Sequence, residues 1–306
     1  MPRKASRPSG RVATKPARTR KTRAPAVHPR EEPLFVEAGP ANWEATITAF
    51  IKRHVEAAGA KGVVLGISGG LDSAVIGALC VRALGKSKVF ALWMPAPDSN
   101  PTDTKHAALV CKAIGIKLAT RPIGPIADGV RAVLGSKPPP HALANAKSRA
   151  RMILLYATAQ TKGLLVCGTG NKYELLAGYF TKWGDGGCDL NPIGDLYKTQ
   201  VRELARHLKI PKPLIAKAPS AGLRPGQTDE GDLGVTYEQL DAILKGIELN
   251  LDLATIARKT AMPLAKVEKV HGMVRSSEHK RHMPLIPKIG ARTVGIDWRR
   301  PVHWDG

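Results

Sequence analysis

Val63-Val64-Leu65-Gly66-Ile67-Ser68-Gly69-Gly70-Leu71-Asp72-Ser73-Ala74-Val75 is the stretch whose reading decides the fold. Its first five residues form a short apolar run and read as a buried strand. From Asp72 to about residue 84 the pattern turns helical, with Ala74, Val75, Ala78 and Leu79 on one face. Strand and helix meet at Ser68-Gly69-Gly70. Two consecutive glycines permit a tight turn with φ values other residues avoid, and they let an anion approach the backbone. Free N–H groups and the dipole at the helix start favour a phosphate. Ser68 and Ser73 add hydroxyl donors. Asp72 sets a carboxylate beside this anion site, which makes chemical sense when a cation lies between; Mg²⁺ on a nucleotide would supply it. No GxxxxGK[ST] and no GxGxxG stands here, so neither the usual P-loop nor a dinucleotide fingerprint applies. A plain strand–helix turn capped by Ser or Asp would explain one residue of the cluster, not the whole of it.

Outward from this turn the alternation continues. Upstream, Trp43, Ile47, Phe50, Ile51 and Val55 recur at helical spacing. Downstream, residues 89–94 read as a strand, 102–114 as a helix and 116–120 as a strand. A break follows at Pro138-Pro139-Pro140, then a long helix over 142–161 and a short strand over 164–167. Such alternation predicts an α/β fold, a doubly wound and mostly parallel sheet flanked by helices on both faces. Ligands in these sheets bind beyond the carboxyl ends of the strands. The last third differs: loops around 184–195 and 220–232 precede helices near 237–246, 251–259 and 264–277. No internal repeat occurs.

The chain of 306 residues is 43% apolar, enough for a sizeable core, and carries a net charge of +22. Residues 1–30 hold ten Lys or Arg and no Asp or Glu. Residues 1–33 are therefore expected to form a disordered basic arm, suited either to touching nucleic acid or simply to solubilising the chain. No run of about 18 apolar residues is present, so no membrane span is expected. The arm lacks the apolar core of a secretory signal and the amphipathic pattern of a transit peptide, which points to the cytoplasm. The cysteines, Cys80, Cys111, Cys167 and Cys188, are scattered without a CxxC pair. They read as reduced thiols rather than a zinc site.

The Ser68–Ser73 loop resembles the pyrophosphate-binding loop of the PP-loop ATP pyrophosphatases, whose fold is that of the adenine nucleotide alpha hydrolases. Later segments narrow the choice. Gly168-Thr169-Gly170-Asn171-Lys172-Tyr173-Glu174 follows the 164–167 strand. Next come the segment from Gly178 to Asp189, Leu196-Tyr197-Lys198-Thr199-Gln200-Val201, Pro219-Ser220-Ala221, Gly226-Gln227-Thr228-Asp229-Glu230 and Glu278-His279-Lys280-Arg281. In order and spacing these resemble the NAD synthetase family over roughly residues 40–290. The resemblance implies one catalytic domain over 34–290, with 291–306 as a tail. It implies amidation of deamido-NAD by ammonia, through an adenylate, with ATP as co-substrate and Mg²⁺ as cofactor. Gly66, Ile67, Ser68, Gly69, Gly70, Leu71, Asp72 and Ser73 would wrap the ATP phosphates, and Thr169, Lys198 and Ser220 would also contact ATP. Asp72 and Glu174 would hold the metal. Arg149, Lys182, Asp189, His279 and Lys280 would bind deamido-NAD, and Asp185 would lie by the ammonia. A homodimer is implied as well. With the fold starting near residue 40, no glutaminase domain is expected, so ammonia is the expected donor.

Taken singly, these residues have plainer readings. Glu174 suits a first helical turn, Lys198 a helix start, His279 a helix end, and Arg149 and Lys182 a charged surface. Two rivals remain at this point: a PP-loop enzyme acting on tRNA, and a non-catalytic protein that binds nucleotides or nucleic acid. The first lacks catalytic cysteine pairs and a recognisable RNA module. The second would have no use for Asp72, Glu174 and Lys198 together.

Overall fold

A computed structural model describes residues 39–135, 138–217 and 234–298. The expected basic arm, Ser220 and the whole of the 220–232 loop lie outside the described residues, as does the end of the expected tail.

The sheet is built as the alternation predicts. After α1 (Pro40–Ala57) come β1 (Val63–Gly66), α2 (Leu71–Leu84), β2 (Val89–Trp93), α3 (Pro101–Ile114), β3 (Leu118–Thr120), α4 (Gly124–Leu134), α5 (Pro140–Lys162) and β4 (Leu165–Val166). The strands lie in the order β3-β2-β1-β4 and every pairing is parallel. Val63 stands opposite both Val89 and Leu165, which fixes the register at the amino end.

Alternate residues of the strands face two separate cores, as a doubly wound sheet requires. Val63, Leu65, Ile67, Ala91 and Trp93 pack with Ile47, Ile51 and Val55 of α1 and with the apolar face of α2. Val64, Leu92, Met94 and Val166 pack on the other side with Ile123, Ala150 and Ala159. The chain leaves β1 toward β2 and β3, then returns to place β4 on β1's other flank. The strand order therefore reverses between β1 and β4, and the crevice beyond their carboxyl ends is where such folds bind ligands.

Two strands begin later than the sequence suggests, for the same reason. Gly115 and Gly163 are left-handed helix caps with φ of +73° and +68°. The next residues, Ile116 and Leu164, still donate backward to Cys111 and Ala159. They belong to helix exits rather than to β3 and β4.

Among the described residues the remaining helices are α6 (Lys172–Ala177), α7 (Lys198–His207), α8 (Lys212–Ala216), α9 (Tyr237–Glu248), α10 (Leu253–Thr260), α11 (Leu264–Ser276) and α12 (Glu278–Arg281). The sequence reading missed α4 and α8, and it marked α6 and α7 only by a first-turn acid at Glu174 and a helix-start lysine at Lys198. Tyr173, Tyr237, Leu240, Ile243, Leu244, Ile256, Val267 and Val270 form a third apolar cluster, made by α6, α9, α10 and α11. Tyr173 and Tyr237 meet edge to face at its centre, with ring centroids 5.3 Å apart. This cluster holds α6 and, through Tyr197, the start of α7, which packs on α1 and α2.

Candidate active site

The loop after β1 is organised by its two serines. Ser73 Oγ accepts from the Ser68 N–H at 3.1 Å and donates to the Gly70 carbonyl at 3.0 Å. Ser68 Oγ accepts from the Gly70 N–H at 3.2 Å and lies 3.1 Å from Ser73 Oγ. Gly69 has φ +75°, and a Cβ there would stand 2.4 Å from the Asp103 carbonyl oxygen. Only glycine fits both the conformation and the space. The loop ends on the first turn of α2, so its N–H groups and the α2 dipole serve the same spot.

Asp72, in that first turn, accepts a hydrogen bond from Lys198 Nζ at 2.5 Å. The Lys198 side chain is only 3% exposed, and that of Asp72 17%. Lys198 opens α7, where a cation opposes the helix dipole. Burial at an unfavourable helix end is tolerable because Asp72 supplies the counter-charge. The second oxygen, Asp72 Oδ1, is buried and has no partner.

Glu174 enters from the loop after β4. Its carboxylate accepts from the Asn171 N–H at 3.0 Å while Asn171 Oδ1 accepts from the Glu174 N–H at 3.1 Å, a closed cap on α6. Burial pushes the Glu174 carboxyl up to about 8, the nearby charge of Asp72 pushes the same way, and Lys198 pulls it back. Two carboxyl groups and an ammonium thus share one electrostatic neighbourhood at the crevice. Thr169 lies half-buried on the same loop, five residues before Glu174.

A second group of residues gathers around the 178–189 loop. Asp185 accepts from Ser148 Oγ at 2.7 Å and from the Thr181 N–H at 2.9 Å, and its own N–H donates back to Ser148 Oγ at 2.9 Å. Asp185 also adds to the rise in the Glu174 pKa, which ties the two regions together. Arg149 donates to the Lys182 carbonyl from Nε at 3.4 Å, and Lys182 Nζ donates to the His279 carbonyl. His279 is itself exposed. Lys280 Nζ is bound by the carbonyls of Gly178 and Phe180 at 2.6 and 2.8 Å, and burial lowers its pKa. Asp189 accepts from Tyr156 Oη at 3.0 Å and from the Val166 N–H at 2.7 Å, so it also completes the edge of β4. A cavity of about 490 Å³ beside them is lined by Met152, Tyr156, Trp183, Cys188, Lys280 and His282, among others.

The structure therefore brings the residues of the sequence reading into two neighbouring groups: Gly66 to Ser73 with Thr169, Glu174 and Lys198, and Arg149, Lys182, Asp185, Asp189, His279 and Lys280. Ser220 lies outside the described residues. Ser148 and Asn171 escaped the sequence reading, because an interior helix serine and a loop asparagine carry no pattern. Asn171 could have been found from its cap spacing to Glu174.

Comparison with known proteins identifies the family. The sequence model of the NAD synthase family matches residues 43–284. An NH₃-dependent NAD⁺ synthetase of Methanocaldococcus jannaschii is 46% identical, the alignment covering 79% of this chain and 95% of that protein. One of Pelodictyon phaeoclathratiforme is 46% identical over 85% of this chain and 94% of its own length. Among solved structures, an NMN synthetase of Francisella tularensis superposes with a TM-score of 0.74 at 33% identity, over 83% of this chain and all of that one. An NH₃-dependent NAD synthetase of Campylobacter jejuni gives 0.70 at 31% identity, over 82% and 100%.

Proposed function

This chain belongs to the NAD synthase family, and on that premise we propose how its residues carry out the ATP-dependent amidation of deamido-NAD by ammonia, yielding NAD, AMP and pyrophosphate. The observation that carries the proposal is the convergence of Asp72, Lys198 and Glu174 at the β1–β4 crevice, next to an anion-binding turn.

The carboxylate of deamido-NAD is a poor electrophile and ammonia will not displace oxide from it. Attack of one carboxylate oxygen on the α-phosphorus of ATP forms the P–O bond of an acyl adenylate and breaks the bond to pyrophosphate. Ammonia then attacks the acyl carbon, AMP leaves with that oxygen, and one proton is lost to a base. The N–H groups of the Ser68–Ser73 loop and the Lys198 ammonium would hold the phosphates and stabilise the leaving pyrophosphate. Thr169 and Ser220 would add contacts to ATP. Arg149, Lys182, Asp189, His279 and Lys280 would seat deamido-NAD around the 490 Å³ cavity. Asp185, held in place by Ser148, would receive ammonium and take its proton.

Asp72 and Glu174 suit a divalent cation: one oxygen of Asp72 is buried without a partner, and burial beside a second carboxylate drives a proton onto Glu174. Among the described residues no cluster of three metal-binding side chains occurs. Two carboxylates with phosphate oxygens are what Mg²⁺ commonly takes. When bound, Mg²⁺ would neutralise phosphate charge during the displacement.

We also propose a homodimer. Val133 and Leu134 of α4 and Ile153 of α5 are exposed to 88%, 55% and 51%, and a second copy would cover them. None of the described helices is long and apolar enough to cross a membrane.

The deciding experiment incubates the purified chain with ATP, Mg²⁺, deamido-NAD and ammonium, and follows NAD and AMP. Equimolar NAD and AMP are expected. A parallel arm offers the nicotinate mononucleotide; preferential turnover of that substrate would overturn the dinucleotide assignment. ADP in place of AMP would overturn the adenylate route.

A further inference from the structure

Lys217 stands one residue beyond α8 and has no part in the scheme above. Its side chain nevertheless reaches the phosphate-binding turn. Lys217 Nζ donates to the Gly69 carbonyl at 3.4 Å and forms an ion pair with Asp103 in the first turn of α3. The two side chains are only 28% and 22% exposed. The backbone of Asp103 packs directly on Gly69, whose missing Cβ leaves the room.

The consequence lies in one peptide plane. The Gly69 carbonyl and the Gly70 N–H belong to the same trans peptide, so they point in opposite directions. Between two glycines, neither side of that peptide carries a Cβ to resist a flip. A flip would set a carbonyl oxygen where the N–H now points and break the hydrogen bond that Ser68 Oγ accepts, which disorders the turn read as the phosphate site. In this structure the plane is held at both ends: the oxygen by Lys217, and the N–H by Ser68 Oγ at 3.2 Å.

We infer that Lys217, anchored by Asp103, is a positioning residue that keeps the Gly69–Gly70 peptide in its phosphate-binding orientation. The inference rests on the reading of this turn as the ATP site. Lys217 acts through the loop and not by touching ATP. Asp103 holds the ammonium in place, and the pair keeps a carboxylate close to the phosphate site neutralised.

The test compares Lys217→Met, Lys217→Arg, Asp103→Asn and the Lys217→Met/Asp103→Asn double variant. The KM values for ATP and ammonium, kcat, ATP·Mg²⁺ binding by calorimetry without deamido-NAD, and Tm are all measured. Lys217→Met should lower kcat/KM for ATP by roughly 10- to 10²-fold, since an ångström of misplacement costs about the latter. The KM for ammonium should stay put. Lys217→Arg should recover most of the loss, because a guanidinium can make both contacts. Asp103→Asn should cost less than Lys217→Met, and the double variant should be no worse than Lys217→Met alone. Additive losses would overturn the inference, as would an unchanged KM for ATP. Tighter ATP binding by Asp103→Asn would also overturn it, since that is the behaviour of a lysine that binds phosphate itself. Where Lys217→Met does not fold, Lys217→Arg and Asp103→Asn carry the same test. Absence of NAD formation by the unaltered chain would instead strike the proposed reaction, independently of the variants.

Discussion

Lys198 donates to Asp72 across 2.5 Å, although 126 residues separate them in the chain. The contact joins the exit of β1 to the start of α7. A buried ammonium at a helix amino end is unfavourable on two counts, desolvation and dipole. Asp72 offsets both. The same carboxylate keeps an unpartnered oxygen for a cation, so one residue serves a structural pair and a proposed metal at once.

Asp72→Asn should therefore separate the two roles from simple folding. The amide keeps the size and can still accept from Lys198, but it loses the charge. We expect kcat to fall on the order of 10²–10³-fold, the usual cost of one electrostatic element at a displacement site. Thermal stability should fall as well, because Lys198 loses its counter-charge. Near-normal turnover over a range of Mg²⁺ concentrations would remove Asp72 from the metal site.

Gly69→Ala tests the geometry of the turn without touching any charge. An alanine there must accept φ +75° and place its Cβ 2.4 Å from the Asp103 carbonyl oxygen. Strain of this kind costs on the order of 1–3 kcal/mol. A lower denaturation midpoint and weaker ATP binding should appear together. Full stability with full ATP affinity would show that the turn has another arrangement available.

Ser148→Ala addresses the ammonia side. Ser148 Oγ both donates to the Asp185 carboxylate and accepts from the Asp185 N–H. Losing it frees Asp185 to rotate, so the KM for ammonium should rise several-fold while the KM for ATP stays constant. Asp185→Asn should be worse in the same parameter. Steady-state kinetics with ammonium as the varied substrate decides this, and an effect confined to ATP would detach Asp185 from the nitrogen donor.

Cys188 gives a pH signature. It lines the cavity, and burial raises its thiol from the ordinary 9.0 to about 11, with Asp189 and Asp185 adding to the rise. The thiolate is the reactive form, so at pH 8 only about one thiol in 10³ is available. Alkylation by iodoacetamide should be slow at pH 8 and climb roughly tenfold per pH unit up to pH 10 without levelling. Deamido-NAD should protect it. A rate that levels off near pH 8 would mean a thiol far more acidic than this environment allows.

Much of this was legible in the sequence, for physical reasons that differ by element. Runs such as 63–67 and the face carrying Ala74, Val75 and Ala78 announce a buried strand and its helix, because periodicity follows directly from which side meets the core. The Ser68–Ser73 turn was legible because two glycines beside a carboxylate have few structural uses. The helices α6 and α7 were legible only as starts, at Glu174 and Lys198. Their caps, Asn171 with Glu174 and Tyr197 with Gln200, are local, but the packing around Tyr237 that holds them is long-range and no local window contains it. The Asp72–Lys198 pair, the Ser148 support and the Lys217–Asp103 tie are likewise long-range. Resemblance supplied residues for the first; nothing in the sequence pointed to the other two.

The fate of one oxygen atom tests the proposed chemistry as a whole. In the adenylate route a carboxylate oxygen of deamido-NAD becomes bonded to the α-phosphorus of ATP. When ammonia attacks the acyl carbon, the C–O bond breaks and that oxygen leaves with AMP. With ¹⁸O in the carboxylate, each turnover should place one labelled oxygen in AMP and none in pyrophosphate. The proposed seating of ATP favours this outcome: with the donors of the Ser68–Ser73 loop and Lys198 at the leaving pyrophosphate, the bond they would help to break is the one next to the α-phosphorus. Attack on the γ-phosphorus would instead yield an acyl phosphate, ADP and labelled inorganic phosphate. Mass spectrometry of the products distinguishes the two routes in a single turnover. Label in inorganic phosphate would require a different seat for ATP in the crevice, and with it different roles for Asp72, Glu174 and Lys198.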